Sequence, residues 1–475
     1  MLELLSPAGS PEAVIAAVQN GADAVYLGFG DYNARRGAKN FTGEEFEKAA
    51  RYCRVRGCKV YATLNTLVND REIEGAVRCA RMAAKYGADG IIIQDVGLIR
   101  VLRDALPDLP LHASTQMSIH NLAGAEAAAQ MGLTRVVLAR ELSLEQIRFI
   151  TKNASVETEI FVHGALCFCH SGQCYMSALI GRRSGNRGMC AQPCRMQYSL
   201  GGRMDDYPLS LKDNCLISRL DEIEEAGVAC IKIEGRMKRP EYTAIVTDIY
   251  HRAMKEHRQP TKEEMEMLEN AFSRNGFTQG YFDGDKRNMF GVRGEPAEDV
   301  EKLFAATRRS YGEGEMRRVP VHFYTVCRKD EPIRAIAFDD DGNKAVAEGP
   351  VGEAAGAYRC LYRGTNVQNR RNTFPCSGKQ STDGSGPLYF CCRNQRDAPQ
   401  LDWNTFRETW EGTGKAGKQY PGSAEEYSSG NRSENHLPGS YRRSAFGGTG
   451  EAEAGLSVCA CSSDEGALRS AEAFY

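Results

Sequence analysis

No stretch of this chain approaches the roughly 18 consecutive apolar residues of a membrane-spanning helix, so the sequence predicts no transmembrane segment. Charge of one sign is missing too. Lys and Arg number 60 against 62 Asp and Glu, a net of −2. A globally basic surface is thereby excluded, and any cationic site must be local. The hydrolase motifs Gly-x-Ser-x-Gly and His-Glu-x-x-His do not occur. No Gly-x-Gly-x-x-Gly turn follows the first apolar strand, which removes the fingerprint of a dinucleotide-binding sheet. The opening residues MLELLSPAG read as a strand and not as a leader, so the expected compartment is the cytoplasm. Disulfides are rare there, and the 17 cysteines are expected to stay reduced or to bind metal.

What the chain has is thiols in one place. Cys167, Cys174, Cys190 and Cys194 fall within 28 residues, spaced C-x6-C-x15-C-x3-C. Four converging thiolates hold either an iron–sulfur cluster or a structural zinc, and the spacing leaves both open. Cys169 competes with Cys167, and Cys215 and Cys230 are outside candidates. Arg182, Arg183, Arg187 and Arg195 are interleaved, which suits an anionic ligand or a polyanion nearby. His163, four residues before Cys167, is either a hydrogen-bonded structural imidazole or half of a thiol–imidazole dyad for a peptidase.

The first 240 residues repeat one theme, an amphipathic helix, a glycine, then a short apolar strand. Gly21, Gly57, Gly87, Gly132 and Gly227 stand where left-handed helix C-caps belong. Strands are expected near 2–5, 24–28, 59–63, 90–94, 110–113, 135–139, 158–163, 208–211 and 229–233. Strands that are apolar throughout and alternate with helices imply a parallel sheet covered on both faces. The count predicts an α/β fold, a (β/α) TIM-like barrel spanning 1–240 with a cysteine-rich excursion at 163–195. Barrel active sites form at the C-terminal strand ends. That places Asn65, His112, Gln116, Arg140 and His163 around one pocket, with Lys232, Glu234 and Arg236 of KIEGRMKRPEY on one strand face. Lys232, Glu234 and His163 are the candidate catalytic residues. Arg35, in the loop NARRGAKNF, joins Asn65, His112, Gln116, Arg140, Arg187 and Arg236 as candidate substrate contacts.

Residues 241–312 read as a helical extension and 313–351 as the start of a small β domain, with a hairpin turn at Asp341–Gly342. From 352 to 475 the chain has eight Val, Leu or Ile residues, no Ile, and both tryptophans. This segment is either a disordered tail or an out-of-frame translation. The second reading fits better, because the change falls inside a strand-rich unit rather than at a linker.

The segments ELLSPAGSPEA, NGADAVYLG, LNTLV, LHASTQM, VVLARELSLEQI, FVHGALC, SGQCYMS, RSGNRGMCAQPCR and IKIEGRMKRPEY resemble the collagenase-like peptidase family, in its RNA pyrimidine hydroxylase branch. The resemblance covers roughly residues 1–345. It implies that Cys167, Cys174, Cys190 and Cys194 ligate a 4Fe-4S cluster, with zinc as the alternative metal. It implies hydroxylation of carbon five of an rRNA cytidine or a tRNA wobble uridine, with prephenate as a possible co-substrate. Lys232, Arg236 and Arg35 would hold that small anionic metabolite. It also implies RNA as partner, and in some relatives a heterodimer with a related subunit. The family's older assignment implies proteolysis as the competing activity.

Overall fold

Eight parallel strands close into a ring in a computed structural model of the chain. The structure describes residues 2–364 apart from 36–39, 201–202, 293, 295–299, 318, 320, 328–331, 340–343 and 352–357. The ring is β1 (Glu3–Ala8), β2 (Ala24–Gly28), β3 (Lys59–Leu64), β4 (Gly90–Ile93), β5 (Leu111–Ala113), β6 (Arg135–Val137), β7 (Glu157–Ala165) and, later in the chain, β11 (Cys230–Ile233). Closure is made by β11, which sets Cys230 opposite Glu3 on one side and opposite Glu159 on the other.

The helices between these strands are α1 (Pro11–Gln19), α2 (Gly43–Val55), α3 (Ile73–Lys85), α4 (Val96–Ala105), α5 (Leu122–Gln130) and α6 (Leu144–Asn153). Local chemistry starts and stops them. Thr42 with Glu45, and Ser143 with Gln146, form capping boxes at α2 and α6. The five expected C-cap glycines all have positive φ, as at Gly87 (99°) and Gly132 (82°). Leu4, Val25, Val60, Ile91, Val136 and Ile231 face outward from their strands and are buried. Burying one such side chain fully contributes about 1.5–3 kcal/mol.

The excursion leaves the ring after β7. It carries α7 (Met176–Gly181) and the hairpin β8 (Tyr198–Leu200) and β9 (Arg203–Asp206). It returns through β10 (Asp213–Cys215) and α8 (Leu220–Glu225). The strand expected at 208–211 is not a stave of the barrel. Leu211 forms an isolated bridge to Phe290, and the strand that follows, β10, lies antiparallel to β7 outside the ring. Its job is to tie the excursion back onto the barrel, and β12 (Phe277–Thr278) extends it by one strand.

The helical extension begins with α9 (Pro240–Glu256), which is also the helix of the eighth β/α unit. Its Thr247 hydroxyl meets Ser6 of β1 at 2.8 Å. Beyond it come α10 (Lys262–Ala271) and α11 (Val300–Gly312). An antiparallel sheet follows, made of β13 (Val321–Cys327), β14 (Pro332–Asp339), β15 (Lys344–Val351) and β16 (Tyr358–Gly364), in the order β15-β14-β13-β16. The sheet thus continues past residue 351. The expected turn at Asp341–Gly342, and the tail after 364, lie outside the described residues. No helix among those residues is long and apolar enough to cross a membrane.

Candidate active site at the barrel mouth

Alternation along the strands turns Glu3, Tyr61, His112, Arg135, Glu159 and Lys232 into the lumen of the barrel. There they form a buried ionic layer rather than an apolar one. Arg135 pairs with Glu3 at 2.6 Å and lies 3.7 Å from Glu159, and Glu159 accepts from Lys232 at 2.8 Å. Tyr61 donates to Glu3 at 3.1 Å, and the Lys232 ammonium sits 4.4 Å from the Tyr26 ring centre. Burial would raise the Glu3 pKa, but Arg135 and Lys59 hold it down at about 2.

Two expected mouth residues belong to this layer. His112 packs edge-on to Tyr61, with ring centroids 4.7 Å apart. Burial, with Arg135 beside it, lowers its pKa to about 3. Lys232 is sealed against Glu159. Neither is open to a ligand, because each stops short of the strand end.

Above this layer the mouth is built around Glu234. It accepts from Arg140 Nη2 at 2.7 Å, from the turn after β6, and from Arg35 Nη2 at 3.4 Å, from the loop after β2. Burial pushes its pKa up, yet Arg35 and Arg140, aided by Arg236 and Lys232, keep it below the ordinary carboxylate range. Arg236 is held by Thr63 Oγ1 at 3.0 Å and Asn33 Oδ1 at 3.2 Å. Burial and the nearby Arg35 lower its pKa to about 10. Arg35 and Arg236 line a narrow cleft with Ala8, Gly9, Gly28, Asn40 and Phe41. A cleft with two guanidinium groups suits a small carboxylate or phosphate.

Arg140 joins this cluster to the thiols. Its guanidinium lies 4.0 Å over the Phe161 ring, and Nη1 stands 3.7 Å from Cys167 Sγ. The other thiols are close by. The Cys194 pKa is raised by burial and by Cys167, Cys190 and Cys174, against Arg195. The Cys190 sulfur receives the Gln192 N–H at 3.3 Å and faces the Ser177 hydroxyl at 3.9 Å. All four are free thiols. Among the described residues, no three His, Cys, Asp or Glu side chains stand at metal-holding spacing. The clustered donors of this loop are sulfurs, and N–H and O–H groups reach those of Cys167 and Cys190.

The excursion is pinned at several points. Arg195 donates to Leu211 O at 2.6 Å and Ser210 Oγ at 3.2 Å, a structural role that accounts for its conspicuous place beside Cys194. Ser171 binds Glu141 at 2.9 Å and the Arg140 N–H at 3.2 Å. Gly172 has φ 76°, and a Cβ there would lie 2.2 Å from the Gln116 carbonyl oxygen. Gln116 thus braces the loop with its backbone. Arg187 pairs with Glu72 at 2.6 Å across a second open cleft. Asn65 accepts the Ala34 N–H at 2.9 Å, which positions the loop that carries Arg35.

His163 is placed differently from expectation. A β-bulge shifts the register so that Ile233 pairs with His163 while Lys232 pairs with Phe161. The bulge re-aims His163 away from the lumen. It ends among Tyr242, Tyr250 and Phe277, with Nδ1 3.4 Å from the Tyr250 hydroxyl and Nε2 without a partner. Burial lowers its pKa to about 3. It forms no dyad with a thiol. Sequence reasoning missed Glu159, Glu3 and Arg135, although charged residues at 157 and 159 in a buried strand were the available signal. Tyr281, which donates to the Cys167 carbonyl at 3.4 Å, had none.

The fold and site define a TIM-type barrel whose mouth joins an arginine–glutamate cluster to a loop rich in free thiols. The family model described as Peptidase family U32 matches residues 9–289, and the chain belongs to that family. Among curated proteins it is 40% identical over 259 residues to the 23S rRNA 5-hydroxycytidine C2501 synthase of Escherichia coli, covering 53% of this chain and 39% of that one. It is 36% identical over 264 residues to tRNA hydroxylation protein P1 of Bacillus subtilis, covering 53% and 63%. It is also 36% identical over 310 residues to a collagenase of Porphyromonas gingivalis, covering 60% and 74%. The chain therefore spans about four tenths of the first relative and under two thirds of the second.

Proposed function

We propose that this chain is an RNA-modifying enzyme of the cytoplasm that hydroxylates carbon five of a pyrimidine, in an rRNA cytidine or a tRNA wobble uridine. One observation carries the reading. Arg140 reaches both Glu234 and Cys167, which supports reading the arginine–glutamate cluster and the thiol loop as one site. Two of the relatives named above are RNA hydroxylation proteins. Cys167, Cys174, Cys190 and Cys194 would hold a 4Fe-4S cluster, which supplies the redox chemistry that side chains lack. Arg35 and Arg236 would hold the carboxylate of a small metabolite such as prephenate. Glu234 fixes Arg35 and Arg140 in place. The collagenase relative speaks for proteolysis, but His163 is boxed by aromatic rings and meets a tyrosine rather than a thiol.

The test begins with iron and acid-labile sulfide on the anaerobically purified chain. About four of each per chain are expected, with loss in Cys167→Ala. Zinc, or no metal in folded protein, would remove the cluster from the proposal. Nucleoside mass spectrometry of rRNA and tRNA from a deletion strain then tests the reaction. Hydroxylated pyrimidines unchanged from the parent would sink it.

A further inference from the structure

The surface around the thiols is aromatic and apolar where a barrel mouth is usually polar. Phe168 is 42% exposed, Phe290 52% and Tyr175 60%. Phe168 and Phe290 stand with ring centroids 6.4 Å apart, tilted by 44°. Cys169, next to Phe168, lies near Cys174, next to Tyr175, so the three rings border one group of thiols. On α7, Leu179 and Ile180 are 83% and 63% exposed.

The thiol-bearing stretch carries no acidic side chain, although Glu141 reaches Ser171 and Asp285, paired with Arg287, stands beside Lys286. No Asp or Glu occurs between Glu159 and Asp205. Arg182 and Arg183 are exposed at the end of α7 and have no carboxylate partner among the described residues. Lys286 is exposed as well, 5.9 Å from the Tyr281 ring, whose hydroxyl reaches the Cys167 backbone.

We infer that this face binds an unpaired stretch of RNA, with bases stacked on Phe168, Phe290 and Tyr175 and phosphates on Arg182, Arg183 and Lys286. The inference rests on the RNA-modifying function proposed above and names how that substrate is held. Exposed rings separated by cations match a ligand that alternates flat faces with negative charge. Protein interfaces are enriched in aromatic residues and arginine but depleted of lysine, so Lys286 is what favours RNA here. A duplex keeps its base faces stacked and offers none to the rings, so the ligand is single-stranded. Unpaired bases are also those that reach a barrel mouth without being pulled from a helix.

The experiment uses the full chain and a short fluorescein-labelled oligocytidylate, with a duplex of the same length as control, followed by anisotropy across a salt series. The single strand is expected to bind more tightly than the duplex. Phe168→Ala/Phe290→Ala should weaken it about 5-fold or more, with the salt slope unchanged. Phe168→Tyr/Phe290→Tyr should restore it, and Tyr175→Ala should give a smaller loss. Arg182→Ala/Arg183→Ala should reduce the slope of log affinity against log salt by about 1.4, from two lost phosphate contacts. Thermal melts check that each variant is folded. Equal binding of duplex and single strand, or ring variants that bind like wild type, overturns the inference. No binding to the oligonucleotide at all also overturns it and leaves the patch to a protein partner. The two readings fail separately. Hydroxylated pyrimidines intact in cells carrying the ring variants, with binding unchanged, sink this surface alone. Oligonucleotide binding that depends on the rings, with no hydroxylated base lost on deletion, sinks the reaction alone.

Discussion

Replacing Lys232 by Met tests whether this lysine is part of the barrel's interior or of its chemistry. The Lys232–Glu159 pair is 2.8 Å long, and its side chains are 5% and 0% exposed. Methionine keeps the unbranched stem and deletes the charge. Glu159 would then face Arg135 at 3.7 Å, with its Oε2 already lacking a hydrogen-bond partner. Stripping one member from a buried pair costs about 3–5 kcal/mol. The remaining Arg135 contact puts the expected loss near the lower bound, about 3 kcal/mol. Adding Glu159→Leu should recover most of it, because two apolar groups of similar volume are close to neutral in place of a buried pair. Arg135 does not become an orphan in that double variant, since it keeps Glu3 at 2.6 Å and Glu157 at 2.9 Å. Urea unfolding at pH 7 of wild type, both single variants and the double variant gives the coupling, expected at about 2 kcal/mol or more. A stability within about 0.5 kcal/mol of wild type for Lys232→Met, with the proposed RNA hydroxylation lost, would refute the interior assignment. It would return Lys232 to the mouth.

Stability should also fall on acidification in two stages. The unfolded His163 takes its proton near 6.5 and the folded one only at about 3. The unfolded state therefore binds more protons in this window, and about 2 kcal/mol is lost by pH 5. His163→Phe should remove that share, and parallel pH curves for variant and wild type would contradict the aromatic box. Glu3 acts lower, its pKa held at about 2 against the ordinary 4.5. It contributes about 3 kcal/mol above pH 4.5 that is lost as pH falls toward 2, so Glu3→Gln should flatten the curve below pH 4.5 only. Gly172→Ala meets a backbone oxygen at 2.2 Å in a left-handed conformation. It should cost about 1–3 kcal/mol and lower the iron of the proposed cluster, whereas an unchanged melt and iron content would mean that the loop does not depend on that contact.

The sequence showed the barrel because its two signals, apolar strands and glycine caps, are local and repeat. Every expected stave but one is a strand of the ring, and 208–211 misled because Leu209 and Leu211 look like a strand while closing an excursion. The thiol loop was legible for the same reason of density. The depth of each polar residue was not. His112 and Asn65 both read as strand-end polar groups, yet one lies in the lumen and the other braces a loop. Depth depends on where each strand enters the ring, which neighbouring strands decide. His163 was out of reach for another reason. One bulge reverses the side a residue faces, and nothing in FVHGALC marks it.

Lys232 and Glu234 show what that depth does to identical chemistry. Two residues of strand separate them, roughly 6.6 Å. At the lower level a cation meets a carboxylate in a sealed lumen, where the pair's ends are used up by each other and by Arg135. At the upper level a carboxylate gathers two arginines, and one of them keeps a second N–H turned toward Cys167. Charged side chains in the lumen cost more to bury than the aliphatic layers common in such barrels. The lower layer nevertheless gives the upper one a fixed footing. Lys232 rests on the Tyr26 ring, and Tyr26 donates to the backbone carbonyl of Ile233, the residue before Glu234. The position of the mouth carboxylate is therefore set from beneath by the buried ions, and from the side by Arg140 and Arg35 on the turns after β6 and β2.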